Sequence, residues 1–239
     1  MQAESLMELG QRKIAGESLP HFFHSRVRLL ISFKKDEIPL FEPQAGQFIN
    51  LGGRASAISP DGYFITAHHV VTEDTPHLAL PPENSTGKRK ADELRWLPGR
   101  LVATFEPADV ALVKFDLPMD HWFKLTTNEF TEGKEVFTGA NDGIVFGKDK
   151  IGNGPFLVHG KTLELRPLQD HADYHQISTD MVSRGGMSGA PLVDTEGNML
   201  GVLVEGTYRR VVRTFLSSEF HSIPADHIES AIQADREKQ

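Results

Sequence analysis

The 239-residue chain has no cysteine. That absence removes disulfides, thiolate metal sites, iron–sulfur ligation and a cysteine nucleophile together, so covalent catalysis, if any, must use oxygen or nitrogen. Basic residues are also short, with 25 Lys and Arg against 33 Asp and Glu and a formal charge of -8. The only concentrated basic run is Lys88, Arg89 and Lys90. Nucleic acid is therefore not expected as a partner, because affinity for it rests largely on neutralising phosphates. No apolar run approaches the ~18 residues of a membrane-spanning helix, so no membrane partner is expected. The opening MQAESLMELGQRKIAGE lacks the apolar core of a secretory signal, which points to a cytoplasmic protein or to an exported mature form.

What is present is the composition of a folded protein, 39% hydrophobic and 24% charged, with length for one large domain or two small ones. From Ser25 to Phe33 the apolar residues Val27, Leu29, Ile31 and Phe33 alternate with more polar ones, apart from Leu30, the period of a half-buried first strand. Before it, Leu6, Met7, Leu9 and Ile14 fit one face of a short helix that says nothing of function. After it come many short β-like runs separated by Gly, Pro, Asn and Asp, among them QFINL, YFITAHHVV, VALVKF, APLVD and MLGVLVEG. This spacing predicts an all-β barrel or sandwich rather than alternating βα units. The stretch PPENSTGKRKADE reads as an exposed loop, its KRK a solvated run before it is a docking patch. Pro224 opens ADHIESAIQADREKQ, where Ile228, Ala231 and Ile232 share a helical face, so a terminal helix should pack on the body.

Chemistry concentrates in three segments. In Gly185-Gly186-Met187-Ser188-Gly189, glycines on both sides of a serine allow backbone conformations that turn N–H groups inward. A serine hydroxyl needs a base to take its proton, and acyl transfer needs donors for the developing oxyanion. A glycine-rich turn with a chance serine is common, so this segment alone is ambiguous. GYFITAHHVV supplies two histidines, His68 and His69, whose imidazoles can accept and return a proton near neutral pH. Asp109 stands directly before the apolar run Val110-Ala111-Leu112-Val113, where a carboxylate could hold an imidazole tautomer.

Taken in order, TAHHVV, DVALVKF and GMSGAPL resemble the trypsin-like (chymotrypsin-fold) serine peptidases, closest to their bacterial single-chain and HtrA-like branch. KEVFTGAND, HQISTDM and HSIPADHI extend the likeness from about Arg26 to about Ile232. The resemblance implies two six-stranded antiparallel β-barrels with a C-terminal helix from about residue 225. It leaves 1–24 as an N-terminal extension and 25–239 as the peptidase domain, with a boundary between barrels near 117–130. The implied activity is endopeptidase cleavage through an acyl-enzyme on a protein or peptide substrate, with no cofactor or metal. A regulatory domain or partner protein is a further expectation of the HtrA-like branch.

The family pattern puts the catalytic histidine directly before the hydrophobic pair, which implies His69, before Val70 and Val71. Neighbouring strand residues face opposite ways, so His68 and His69 cannot both reach Ser188 if the strand continues. The implied roles are Ser188 as nucleophile, His69 as base and then acid, Asp109 as orienting carboxylate, and the N–H groups of Gly186 and Ser188 as oxyanion hole. By the same alignment Val182 lies at the bottom of the primary specificity pocket, Val204 and Gly206 pair with substrate backbone, and Glu205 sits beside more distant subsites. Valine offers no countercharge for a buried Lys or Arg, so small to medium apolar residues are expected before the scissile bond. His221, on the last strand, could instead accept an acidic or amide side chain.

Three positions depart from the pattern. Met187 stands where animal digestive enzymes have an aspartate that pairs with a newly cut amino terminus, so that switch cannot operate. GGRASAIS has alanines where HtrA-like relatives usually have glycine, and Val204 replaces the small polar residue that often supports the catalytic acid. A catalytically silent peptide-binding or partner-docking module is the alternative function, since a fold does not fix an activity. His171 and His175, with Asp170 and Asp173 nearby, are expected in a surface loop rather than at a zinc site, and Asp180 as a loop anchor.

Overall fold

The computed structural model describes residues 6–33, 52–71, 75–80, 87–90, 93–126, 130–145, 154–209 and 214–238. Six strands form the first barrel: β1 (Val27–Phe33), β2 (Gly53–Ala57), β3 (Tyr63–Ala67), β4 (Thr75–Leu80), β5 (Arg95–Phe105) and β6 (Val110–Phe115). Six more form the second: β7 (Glu135–Ala140), β8 (Phe156–Leu168), β9 (His171–Thr179), β10 (Pro191–Asp194), β11 (Asn198–Arg209) and β12 (Thr214–Ser222). The first closes in the order β1-β2-β3-β6-β5-β4 and the second in the order β7-β8-β9-β12-β11-β10, the same connectivity twice. All of these pairings are antiparallel, and the linker strand Lys124–Leu125 adds to β11 in parallel. The two-barrel expectation and the C-terminal helix are thus both met.

Alternation explains how one strand serves two cores. In β3, Phe64 points into the first barrel with Leu30, Leu78, Val113 and Phe115, while Tyr63 and Ile65 face the space between the barrels. Met181, Met187, Leu192, Leu203 and Phe220 fill the second barrel. The space between barrels is the largest core, and three helices contribute to or flank it: α1 (Leu6–Gln11), α2 (Leu19–Arg26) and α3 (Ala225–Arg236). Among the described residues no helix is long and apolar enough to cross a membrane.

Several local expectations change. The segment from Ser25 does not begin a strand; α2 runs to Arg26 and β1 starts at Val27. Leu19, Phe22, Phe23 and Arg26 form the buried stripe of α2, with Pro20 in its first turn, where a missing N–H costs nothing. The helix near the amino terminus stops at Gln11, and Ile14 belongs to a two-residue strand paired with Glu17–Ser18. Gly87–Lys90 is not loop but a strand paired in parallel with Asp142–Val145; the rest of the expected loop at 81–86 and 91–92, and the expected strand QFINL, lie outside the described residues. His171 and His175 lie on β9 rather than in a loop. Among the described residues no group of three or more His, Asp or Glu is placed to hold a metal ion.

Candidate active site

β3 ends at Ala67, and the chain tightens into a single 3-10 turn over His68–Val70. The alternating-face argument for choosing between the two histidines therefore does not apply, because strand geometry stops before them. Their partners separate them instead. His68 gives only its main-chain N–H to the Asp109 carbonyl, at 2.7 Å. His69 gives its main-chain N–H to Asp109 Oδ1 at 2.9 Å and its ring Nδ1–H to Oδ2 at 2.6 Å. The side chains of His69 and Asp109 keep 44% and 31% of their surface exposed, so the pair is open to solvent.

Asp109 owes its position to a second tight turn. Glu106–Ala108 is a 3-10 turn, and Asp109 follows it in the left-handed region, φ 47° and ψ 43°, before β6 begins. Asp tolerates this conformation better than most residues, and three hydrogen bonds from His68 and His69 hold it there. Burial pushes the Asp109 carboxyl up, but the hydrogen bonds and charge of His69 outweigh it and hold the group below its ordinary value. Ala108, one residue earlier, accepts from His221 Nδ1–H at 2.7 Å. His221 on β12 is thus turned toward the Asp109 turn.

Ser188 lies in the coil joining β9 to β10. Its carbonyl accepts the Arg54 N–H at 2.7 Å, which seats it on the edge of β2. A methyl group on Gly53 would come within 2.3 Å of that carbonyl oxygen and 2.7 Å of Val70 Cγ2, so the Ser188 backbone abuts the turn that carries His69. Gly189 follows at φ +85°, where a Cβ would strike the Arg54 carbonyl at 2.0 Å; only glycine fits. The N–H groups of Met187, Gly189 and Ala190 bond to Arg184, Leu203 and Met187 carbonyls. Among the described residues no backbone carbonyl accepts the N–H of Gly186 or Ser188.

The remaining expected residues flank this loop. Val182 is 55% exposed. Buried Met181 beside it accepts from Ser218 Oγ on β12, at 2.9 Å. On β11 the ladder with β12 pairs Leu203 with Phe220 and Glu205 with Glu219, skipping Val204, and Gly206 pairs with Ser218. Val204 is half-buried against the inter-barrel core and Glu205 is exposed. Asp180 Oδ1 accepts the Lys161 N–H at 2.6 Å, anchoring the approach to the loop.

One feature of the site had no sequence signal. Arg54 lies in β2 among Gly, Ala and Ser and is wholly buried. Its Nη2 reaches the carbonyls of Asp142 at 3.2 Å and Gly154 at 3.1 Å, both belonging to the second half of the chain. Burial lowers its guanidinium to about 10, a shift that the Asp142 charge opposes.

The family model of the trypsin-like peptidase domain matches residues 53–202, which include all three segments. No curated protein matches the sequence. Among solved structures, the MamO protease domain from Magnetospirillum magneticum is 19% identical with a TM-score of 0.58, over 88% of this chain and 97% of that one. A form of the HtrA-type protease AlgW with a tripeptide is 20% identical with a TM-score of 0.59; the match covers 90% of this chain but 61% of AlgW. Deg5 is 19% identical with a TM-score of 0.56, over 88% of each chain. These likenesses are of fold. With the family model spanning more than half of its length, the chain belongs to the trypsin-like peptidases.

Proposed function

We propose that this trypsin-like peptidase is an active serine endopeptidase in which Ser188, His69 and Asp109 act as a triad. The observation that carries the reading is the two-point hold of Asp109 on His69, through main chain and ring. With its Nδ1–H hydrogen-bonded to the Asp109 carboxylate, neutral His69 presents the Nε2 lone pair as a base. Ser188 Oγ then attacks the substrate carbonyl as His69 takes its proton. The same proton passes to the leaving amine, and water repeats the cycle on the acyl-enzyme. The N–H groups of Gly186 and Ser188 serve the oxyanion, consistent with their lacking a main-chain acceptor among the described residues.

Peptide is the substrate class, in line with the similarity to AlgW, which was solved with a tripeptide. It adds a strand beside Val204 and Gly206, with Glu205 facing the more distant subsites. Cleavage follows small to medium apolar residues, because exposed Val182 offers apolar surface and no countercharge. Treatment of the native protein with a sulfonyl fluoride tests the reading directly. Modification of Ser188 that heating abolishes is the expected result. An unlabelled serine in a folded protein would mark it as a silent peptide-binding module.

A further inference from the structure

Arg54 is placed where two parts of the molecule meet at the Ser188 loop. Its main-chain N–H carries the Ser188 carbonyl, and its side chain carries the carbonyls of Asp142 and Gly154. The next carbonyl, that of Pro155, accepts from Arg184 Nη2 at 3.3 Å, and Arg184 is itself part of the Ser188 loop. The Arg184 N–H in turn meets Met187 Sδ at 3.3 Å. Residues 154–155 are therefore gripped from β2 on one side and from the Ser188 loop on the other. The Phe156 ring lies 5.6 Å from the Arg54 guanidinium carbon.

The carboxylate of Asp142 sits behind this array, and the residue is buried. Its Oδ1 lies 3.3 Å from His24 Nδ1, on α2, and its charge acts on both Arg28 and Arg54. Arg28 Nη1 donates to the His24 carbonyl, tying the end of α2 to the same cluster. Among the described residues neither carboxylate oxygen of Asp142, nor His24 Nδ1, nor Arg54 Nε has a hydrogen-bond partner of good geometry. The cluster is thus held by charge and by burial, and it depends on α2 staying seated through Leu19, Phe22 and Phe23. These α2 residues precede the family match at 53–202.

We propose that Arg54 is a positioning residue for the Ser188 loop, and that α2, through His24 and Asp142, is the built-in strap that holds Arg54 to that task. Met187 leaves the loop no carboxylate of its own to be pinned by, so the pin comes from β2 and from the segment before the first barrel. The proposal rests on Ser188 being the nucleophile only for its kinetic arm; the loop-ordering arm stands without it. Arg54→Lys keeps a charge but loses the fork that spans two carbonyls, and Arg54→Met removes the charge at similar length.

Both variants are compared with wild type in kcat, KM and amide hydrogen exchange. The expectation is a fall in kcat of about tenfold to a hundredfold with KM near wild type, as for a misplaced site. Faster exchange should be confined to 184–190 and 154–156, with the strands of the first barrel unchanged. His24→Ala should speed exchange in the same segments to a lesser degree. If Arg54→Met does not fold, Arg54→Lys decides. Wild-type exchange and kcat in the folded arginine variants would overturn the role of Arg54. Wild-type exchange in His24→Ala would overturn the strap. A wild-type protein that no sulfonyl fluoride labels would defeat the proposed activity, while the exchange pattern would still uphold or defeat the positioning role.

Discussion

His68 and His69 differ by one position and by what each gives to Asp109. The first contributes a main-chain N–H to its carbonyl, the second both a main-chain and a ring N–H to its carboxylate. His69→Ala should therefore lose about 10⁴-fold or more in kcat, and its combination with Ser188→Ala little beyond either single change. His68→Ala should stay within a few-fold of wild type. The reverse ranking in a peptide-hydrolysis assay would transfer the base to His68. His221 gives a second test of the same kind. Because it donates to the Ala108 carbonyl, His221→Asn, which keeps a donor near the Nδ1 position, should behave like wild type. His221→Ala should lower kcat while leaving the cleavage-site profile unchanged. Dominant cuts after Glu, Asp or Gln that vanish in His221→Ala would assign it to the specificity pocket instead.

Elements show what patterning can and cannot reveal. The barrel strands were legible because short alternating runs punctuated by Gly, Pro and Asp have few other readings. The helix α2 was not, since its apolar stripe comprises only Leu19, Phe22 and Phe23 and runs directly into the alternation of β1. Its Phe23 packs edge-on to Phe22 and against Phe123. Phe23→Ala should cost about 3–5 kcal/mol, measured by denaturant unfolding. The buried Arg54 was equally unreadable, because no pattern marks a charge destined for an interior. Likewise, the exposed His and Asp residues at the start of β9 hide its first stretch, although YHQIST within it reads as a strand.

The C-terminal helix carries its own titration. Asp235 accepts from Arg100 at 2.5 and 2.6 Å and from Tyr63 Oη at 2.7 Å. Arg100 chiefly, with Tyr63 and against burial, holds the Asp235 carboxyl down at about 2. Burial, reinforced by Asp235, pushes the Tyr63 phenol up to about 12. A depressed carboxyl contributes stability above its ordinary 3.8 that is lost as pH falls toward about 2. A raised phenol contributes stability below its ordinary 10.0 that is lost as pH rises toward about 12. Amide exchange in α3, corrected for its intrinsic pH dependence, should therefore be slowest between those windows and rise beyond both. Tyr63→Phe should abolish the alkaline rise and keep most of the acid one.

On the scale of the whole molecule, the repeated ring order makes two similar barrels, yet the ends of the chain treat them unequally. The amino-terminal segment precedes the first barrel but docks on the second: Arg12 pairs with Glu135 at 2.6 Å, and a Cβ on Gly139 would lie 2.7 Å from the Phe23 ring. The carboxy-terminal helix follows the second barrel but docks on the first, through Tyr63, Arg100 and the Arg236–Asp61 pair at 2.9 Å. Removal of residues 1–25 should therefore lower the midpoint of thermal unfolding and reduce turnover. Activity that appears only after such trimming would refute the strap and restore an activation peptide.

This crossing of ends fixes an order of events during synthesis. The first barrel leaves the ribosome before its own clasp, α3, exists, and α2 has no seat until β7 and β8 have been made. The first barrel alone can thus seat neither of the two helices that clasp the fold.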